Sequence, residues 1–386
     1  KHTDRLLDKI RSEFVAGLSL PKYGDGDWDD SLQPADPMLR EKMVSSWTTQ
    51  LLFQTLRRFA AALFQFGHVE RAARVKDMAA DVAEDFQRLL MPDGVVAGFA
   101  VFPGDPAVPV EYLLHPSDTR TGLKYRLIPM TRGIISGIFS SKQAAAHLEL
   151  INRHLLFPDG ARLMDRPTAY AGGTETTFRR AESAAFFGRE IGLQYVHAHL
   201  RYAEALAMMG RGEELLQALL VVNPIAVTQV VPNAQPRQRN CFFSSSDAAF
   251  ANRYEASRDY DKLREGKIAT HGGWRVYSSG PGIYTNLVVR HLFGIRNYFD
   301  SIEIDPVLPR GLSGTTLRFS QPGREMEYLF QVRTASCSPS RITVNGIEIS
   351  SRITAPHPYR AGGVRIKRSD FESLMGSTLN RVEIEM

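Results

Sequence analysis

Sulfhydryls are nearly missing from this chain: Cys241 and Cys337 are the 2 cysteines among 386 residues, and they stand far apart. That excludes a disulfide framework as the source of stability and makes a reducing cytoplasm the expected home. An excess of one charge is missing too. Lys+Arg 47 against Asp+Glu 42 leaves +5, spread along the chain without a basic block, so a nucleic-acid coat is excluded. No stretch approaches the roughly 18 uninterrupted apolar residues of a bilayer-spanning helix. The opening KHTDRLLDKIRSEF has no apolar centre of the kind a secretory leader needs. Neither a membrane nor an export route is therefore expected.

What is present suits a water-soluble globule: 43% hydrophobic residues and a mean hydropathy of −0.22, enough for a substantial core or two. At roughly 100–200 residues per domain the length suggests two or three domains, although a helical barrel can be one larger unit. The first residue is Lys1 and not Met, which leads us to expect a piece of something longer.

From Glu41 to Gly67, apolar residues recur at helical spacing (Val44, Trp47, Leu51, Leu52, Leu56, Phe59, Leu63, Phe66), and His68 to Leu90 repeats the pattern before Pro92. Two long helices joined at a Gly predict an α-hairpin. GVVAGFAVFP and KYRLIPM read as short strands or extended loops. Helix is expected again over Ser140–Leu156, Glu182–Gly192 and Tyr195–Gly210, and after Gly212 in EELLQALLVV. No strict repeat is visible, so a closed array of hairpins is favoured over a solenoid. After Gly294 the pattern becomes period two with β-branched enrichment, in SIEIDPVLP, TTLRFS, MEYLFQV, RITVNGIEI, VRIKRS and RVEIEM. Asn345-Gly346 signals a type I′ hairpin. The fold class expected is mainly α followed by β, with a boundary near Ile295 to Ser301.

Three segments hold chemistry. Gly24-Asp25-Gly26-Asp27-Trp28-Asp29-Asp30 crowds four carboxylates around one indole. Mutual repulsion raises at least one carboxyl pKa toward what a general acid requires, and the indole offers a stacking face for a sugar ring. The bland alternative is an acidic Asx-turn loop that caps a helix or holds a cation. Gly272-Gly273-Trp274-Arg275-Val276-Tyr277-Ser278-Ser279-Gly280 precedes a helical run and offers N–H groups and a hydroxyl to an oxyanion, or serves only as a turn and N-cap. It has neither a P-loop lysine nor a dinucleotide spacing. In the third segment, Phe178 to His199, His197-Ala198-His199 suggests a metal pair, but helical residues two apart face different ways and no metal is expected, and the bland alternative is two ordinary, partly buried residues of a packed helix.

Together with DRPTAYAGGTETTFRRAESAAFFGREIGLQYVHAHLRYAEA and SSSDAAFANRY, these segments resemble the C-terminal part of the inverting β-glucoside phosphorylases of glycoside hydrolase family ninety-four, which includes cellobiose and chitobiose phosphorylases. Within it they are most similar to the 1,2-β-oligoglucan (sophorose-type) branch. The family's acid motif is Asp-Trp-Asn-Asp. Here Asp27-Trp28-Asp29-Asp30 carries Asp at the third place. The resemblance implies Asp30 as general acid and Trp28 as substrate contact, with an ionised Asp29 pushing the Asp30 pKa further up. It further implies His197 as a phosphate ligand, eight residues after the substrate-contacting Arg189, and Ser279-Gly280 in place of the family's Thr-Gly phosphate pair. Glu182 falls in the substrate-contact region, at an offset from Arg189 that differs from the family's.

The implied fold is the later part of an (α/α)6 barrel over residues 1–294, N-terminally incomplete, followed by a β-sandwich over 295–386. The implied reaction is inverting phosphorolysis of a β-linked gluco-oligosaccharide to α-glucose 1-phosphate, with inorganic phosphate as co-substrate and no cofactor. The implied partners are the missing N-terminal half or a homodimer. Two rivals stand beside it: an inverting glycoside hydrolase on the same barrel, and a non-catalytic glycan-binding remnant.

Overall fold

The computed structural model describes residues 2–386 except 106, 171, 173–174, 184–193, 224, 226, 237–244, 273–278, 322–323, 335–336 and 377. It divides into two compact units, Lys1–Arg201 with Pro224–Val276, and Tyr202–Asn223 with Tyr277–Met386. The chain is helical first and β-rich towards its C-terminus, as expected.

In the first unit, α1 (His2–Ser12) is followed by the hairpin of α2 (Ser46–Gln65) and α3 (Val69–Leu89). The helix α2 starts five residues later than the periodicity suggests. Met43–Ser45 is a strand paired antiparallel with Phe99–Val101, and the Ser45 hydroxyl caps α2 by accepting the Thr48 N–H at 3.3 Å. Gly67, at φ +79°, ends α2 in a conformation that a residue with a Cβ rarely adopts. KYRLIPM is extended only as far as Arg126, which forms an isolated antiparallel bridge with Met164. Helix α4 (Leu127–Ser136) begins inside it, and Pro129 is tolerated because the first turn of a helix needs no N–H donor. Gly133 of α4 lies so close to Phe139 that a Cβ would stand 2.3 Å from its ring.

A capping box made by Ser140 and Gln143 opens α5 (Ser141–His154). Of the helix expected over Glu182–Gly192 only the turn Arg179–Ser183 is described, and the rest lies outside the described residues. A small sheet of Gln194–Tyr195, Ser245–Ala248, Thr270–Gly272 and Ala234–Pro236, in that order, was not foreseen, because strands of two to four residues show no periodicity. Tyr195 leads from this sheet into α6 (Val196–Met208).

The second unit contains the helix α7 (Gly212–Leu220) and, further on, α8 (Ser279–Leu287), which runs into a π-helical turn, Val288–Leu292. Two sheets follow. One orders Ile295–Asn297, Ser301–Ile304, Val364–Lys367 and Ile353–Thr354. The other orders Thr316–Gln321, Arg324–Gln331, Leu379–Glu385, Arg341–Val344 and Ile347–Glu348. Alternate residues Met326, Tyr328 and Phe330 are fully buried, with Val382 and Ile384 on the neighbouring strand, the period-two pattern read from sequence. Asn345 and Gly346 both take φ > 0, at 49° and 83°, as the type I′ turn requires.

Candidate active site

The acid-rich loop alternates. The Asp27 and Asp29 carboxylates are buried, whereas Asp30 is exposed and Trp28 is half-buried. The loop is held from behind: the Tyr23 and Gly24 N–H groups donate to the Met43 and Arg40 carbonyls at 2.7 and 3.1 Å.

The Asp27 carboxylate is 0% exposed and pairs at 3.2 Å with Arg126, itself 1% exposed. It also accepts the Ser45 hydroxyl and the Asp29 N–H at 3.3 Å. Arg126 lies 4.4 Å over the Phe99 ring. Asp29 is buried and caps the single turn Asp30–Leu32. Its Oδ1 accepts the Ser31 N–H at 3.3 Å and the Ser31 hydroxyl at 2.5 Å. Burial raises the Asp29 carboxyl above the ordinary range, against the opposing pull of Arg126 and the Ser31 hydroxyl. Burial thus favours the neutral form, the opposite of the ionised Asp29 on which the expected push on Asp30 depends.

Asp30 is exposed, with the Arg180 guanidinium 3.6 Å from its carboxylate. The Trp28 indole meets Tyr195 and His197 edge-on, at centroid distances of 5.5 and 5.4 Å. Trp28, Asp30, Tyr195 and His197, with Asp29, Ser31 and Leu163, line one open cleft of about 500 Å3, a size ordinary for a small-ligand site. His197 sits in the first turn of α6. Burial first, then the nearby Arg201 and Arg132, push its pKa down to about 4. At neutral pH its imidazole is therefore uncharged, offering one donor and one acceptor. An acid, an aromatic platform and a neutral imidazole on one cleft are suited to handling a sugar and an anion together.

Residues 1–239 match the catalytic domain of the glycosyl hydrolase 94 superfamily, and residues 294–384 match a glycoside phosphorylase C-terminal domain. The chain belongs to the glycosyl hydrolase 94 superfamily. It is 45% identical over 372 residues to a 1,2-beta-oligoglucan phosphorylase of Listeria innocua, a match that covers 96% of this chain and 33% of the relative. The chain thus spans about a third of the length of the curated relative it matches. The resemblance read from the acid motif and the Arg-rich segment is borne out at the level of this superfamily.

Other residues singled out in this glycosyl hydrolase 94 chain fall in different places. Glu182 is buried, and its carboxylate accepts the Thr176, Thr177 and Phe178 N–H groups at 2.6, 2.9 and 2.7 Å and the Thr176 hydroxyl at 3.1 Å. The clamped turn in turn pairs with the acid loop, through Ala35 N–H to Thr177 carbonyl and Arg179 N–H to Gln33 carbonyl, both 2.9 Å. Glu182 has the geometry of a loop clamp two steps behind Asp30. Arg189 lies outside the described residues, and so does the Ser279 side chain. Ser279 and Gly280 begin α8 in the second unit. There the Tyr284 hydroxyl accepts from the Asn223 amide at 3.3 Å.

His199 points away from His197: it is fully buried and its Nδ1 accepts the Ala161 N–H at 3.0 Å. Among the described residues no group of three or more His, Cys, Asp or Glu is placed to hold a metal ion. Among them, too, no helix is long and apolar enough to cross a membrane. Sequence reasoning missed Tyr195, Arg126 and Arg180. Only Tyr195 left a signal, as an aromatic two residues before His197 on a strand-to-helix junction.

Proposed function

We propose that the protein carrying this chain phosphorolyses β-linked gluco-oligosaccharides, of the β-1,2 type, with inversion, releasing α-glucose 1-phosphate. The observation that carries this reading is the shared cleft: the Asp30 carboxyl and the His197 imidazole open onto the same space, with the Trp28 indole between them. The name of the Listeria relative supports the linkage.

In this reading Asp30 donates a proton to the glycosidic oxygen as the bond to the anomeric carbon breaks, while phosphate attacks that carbon from the opposite face. Trp28 and Tyr195 stack against the sugar, and Arg180 keeps the Asp30 carboxyl oriented. Phosphate is already a nucleophile at neutral pH, so no second carboxylate is needed to activate it. An inverting hydrolase needs one roughly 6.5–9.5 Å from the acid. Among the described residues of this cleft the second carboxylate is Asp29, buried and committed to Ser31, which favours phosphorolysis over hydrolysis. The phosphate-binding roles of His197, Ser279 and Gly280 and the substrate-binding role of Arg189 are carried from the family residue by residue. Glu182 holds the acid loop in place.

The same proposal takes residues 1–294 as the later part of an (α/α)6 barrel and 295–386 as a β-sandwich, with the remaining barrel helices supplied by the rest of the protein. Inorganic phosphate is the co-substrate, no cofactor is called for, the partner is the N-terminal half or a second copy, and the setting is the cytoplasm. The test is release of glucose 1-phosphate from a β-1,2-gluco-oligosaccharide by the protein that contains this chain. Product must appear only with phosphate. Release of free sugar at the same rate without phosphate discards the proposal in favour of the hydrolase.

A further inference from the structure

His199 is the member of the His197-Ala198-His199 run that the cleft leaves unused. The two histidines stand two residues apart at the start of α6, so with His197 on the cleft His199 faces elsewhere. It is 0% exposed, and its Nδ1 accepts the Ala161 N–H at 3.0 Å. The backbone passes close there. Gly160 holds φ +121°, and a Cβ on it would stand 2.9 Å from His199 Nδ1, 3.1 Å from its Cε1 and 3.0 Å from the Gln194 amide nitrogen. The imidazole lies against the chain because residue 160 has no side chain.

The segment that His199 touches belongs to the cleft as well. Leu156–Phe157 and Gly160–Ala161 pair antiparallel. The turn between them is tied down by a buried ion pair, in which Arg162 Nη2 donates to both Asp159 carboxylate oxygens at 2.8 Å. The same guanidinium lies 4.6 Å over the Phe157 ring. Next along, Leu163 lines the cleft, and its carbonyl accepts the Leu127 N–H at 2.9 Å. Met164 then bridges to Arg126, the partner of Asp27 behind the acid loop. Gly160–Met164 is therefore a strut. One end rests on the helix that carries His197, and the other on the buried pair that holds the loop of Asp30. All of these residues lie in the first unit.

We propose that His199 is a positioning residue for the reaction: through Ala161 it sets α6 against this strut, and so fixes where the His197 imidazole stands relative to the Asp30 carboxyl. A histidine that merely filled the core would be replaceable by an apolar side chain of similar size. His199 is not, because its nitrogen accepts a backbone N–H from the strut. The kinetic consequence rests on the phosphorolysis reading, in which His197 meets the phosphate. The placement of the ring does not.

The experiment compares His199→Leu with His199→Asn in the protein that contains this chain, at a temperature where circular dichroism shows both folded. Leucine fills similar space but takes away the acceptor of the Ala161 N–H, whereas asparagine keeps an acceptor near the place of Nδ1. Gly160→Ala disturbs the same contact from the strut's side and carries the prediction if the Leu variant does not fold. In crystal structures the His197 ring should shift by about 1 Å or more in the Leu and Ala variants and stay in place in the Asn variant. A shift of that size predicts at least about a tenfold fall in kcat/KM for phosphate, with KM for the gluco-oligosaccharide within about twofold and most of the loss restored in His199→Asn. An unmoved His197 ring in the Leu and Ala variants overturns the proposal, as does a moved ring with unchanged kcat/KM for phosphate. A wild type that yields no phosphate-dependent product counts against the phosphorolysis reading alone, and the position of the ring still decides whether His199 sets it.

Discussion

The buried pair behind the acid loop makes a prediction that can be worked through. Arg126→Met removes a cation that is 1% exposed from an Asp27 carboxylate that is 0% exposed. The carboxylate keeps its bonds from the Ser45 hydroxyl and the Asp29 N–H but loses its charge partner. Breaking a buried pair from one side costs about 3–5 kcal/mol, because the orphaned charge remains desolvated. The lost contact with the Phe99 ring, at 4.4 Å, adds about 0.5–2 kcal/mol. We therefore expect Arg126→Met to lose about 4 kcal/mol or more in urea unfolding at pH 7. Adding Asp27→Asn removes the orphaned charge, so the double variant should recover about half of that loss, about 2 kcal/mol, and fall well short of the sum of the two single losses. An Arg126→Met protein within about 1 kcal/mol of wild type, or a double variant equal to the sum of the singles, would refute the reasoning.

Three further outcomes are expected. The Asp29 carboxyl is raised by burial, so it costs stability once pH climbs above the unfolded value of about 3.9 and through its folded one. Asp29→Asn should match wild type near pH 4 and grow relatively more stable towards pH 7.5, whereas a constant difference in urea midpoint contradicts the assignment. His147 is 0% exposed. Its Nδ1–H donates to the Gln143 carbonyl at 2.7 Å, its Nε2 accepts the Val96 N–H at 3.1 Å, and burial pushes its pKa down to about 4. Its contribution is therefore complete above about pH 6.5 and lost as pH falls towards 4, so a His147→Gln variant should lose about 3 kcal/mol less than wild type across that window. Glu182→Gln replaces an acceptor of four hydrogen bonds with a side chain that also presents donors to N–H groups. A loss of about 2–3 kcal/mol is expected, with kcat falling and phosphate affinity unchanged; a changed phosphate affinity instead would place Glu182 at the ligand.

The parts legible in sequence were those whose one-sided burial leaves a period. The hairpin of α2 and α3 and the strands around Tyr328 and Ile384 bury one face and expose the other, so the pattern names them. Helix α4 is buried nearly all round, leaves no period, and was misread as extended chain. The acid motif, Trp28 and His197 were legible as residue types in a familiar order, and the cleft brings them together. The pairing of Asp27 with Arg126, 99 residues away, was not legible, nor was the burial that sets Asp29 apart from Asp30. Both depend on a loop folding back on a strand and a helix, which no local pattern encodes.

The most direct measurement compares Asp30→Asn with wild type on two substrates, a β-1,2-gluco-oligosaccharide and a dinitrophenyl β-glucoside whose leaving group departs without a proton. If Asp30 is the proton donor, phosphorolysis of the natural linkage falls by about 10²–10⁴ while the activated glucoside stays within about tenfold of wild type. Equal losses on both substrates, or none on either, would contradict it.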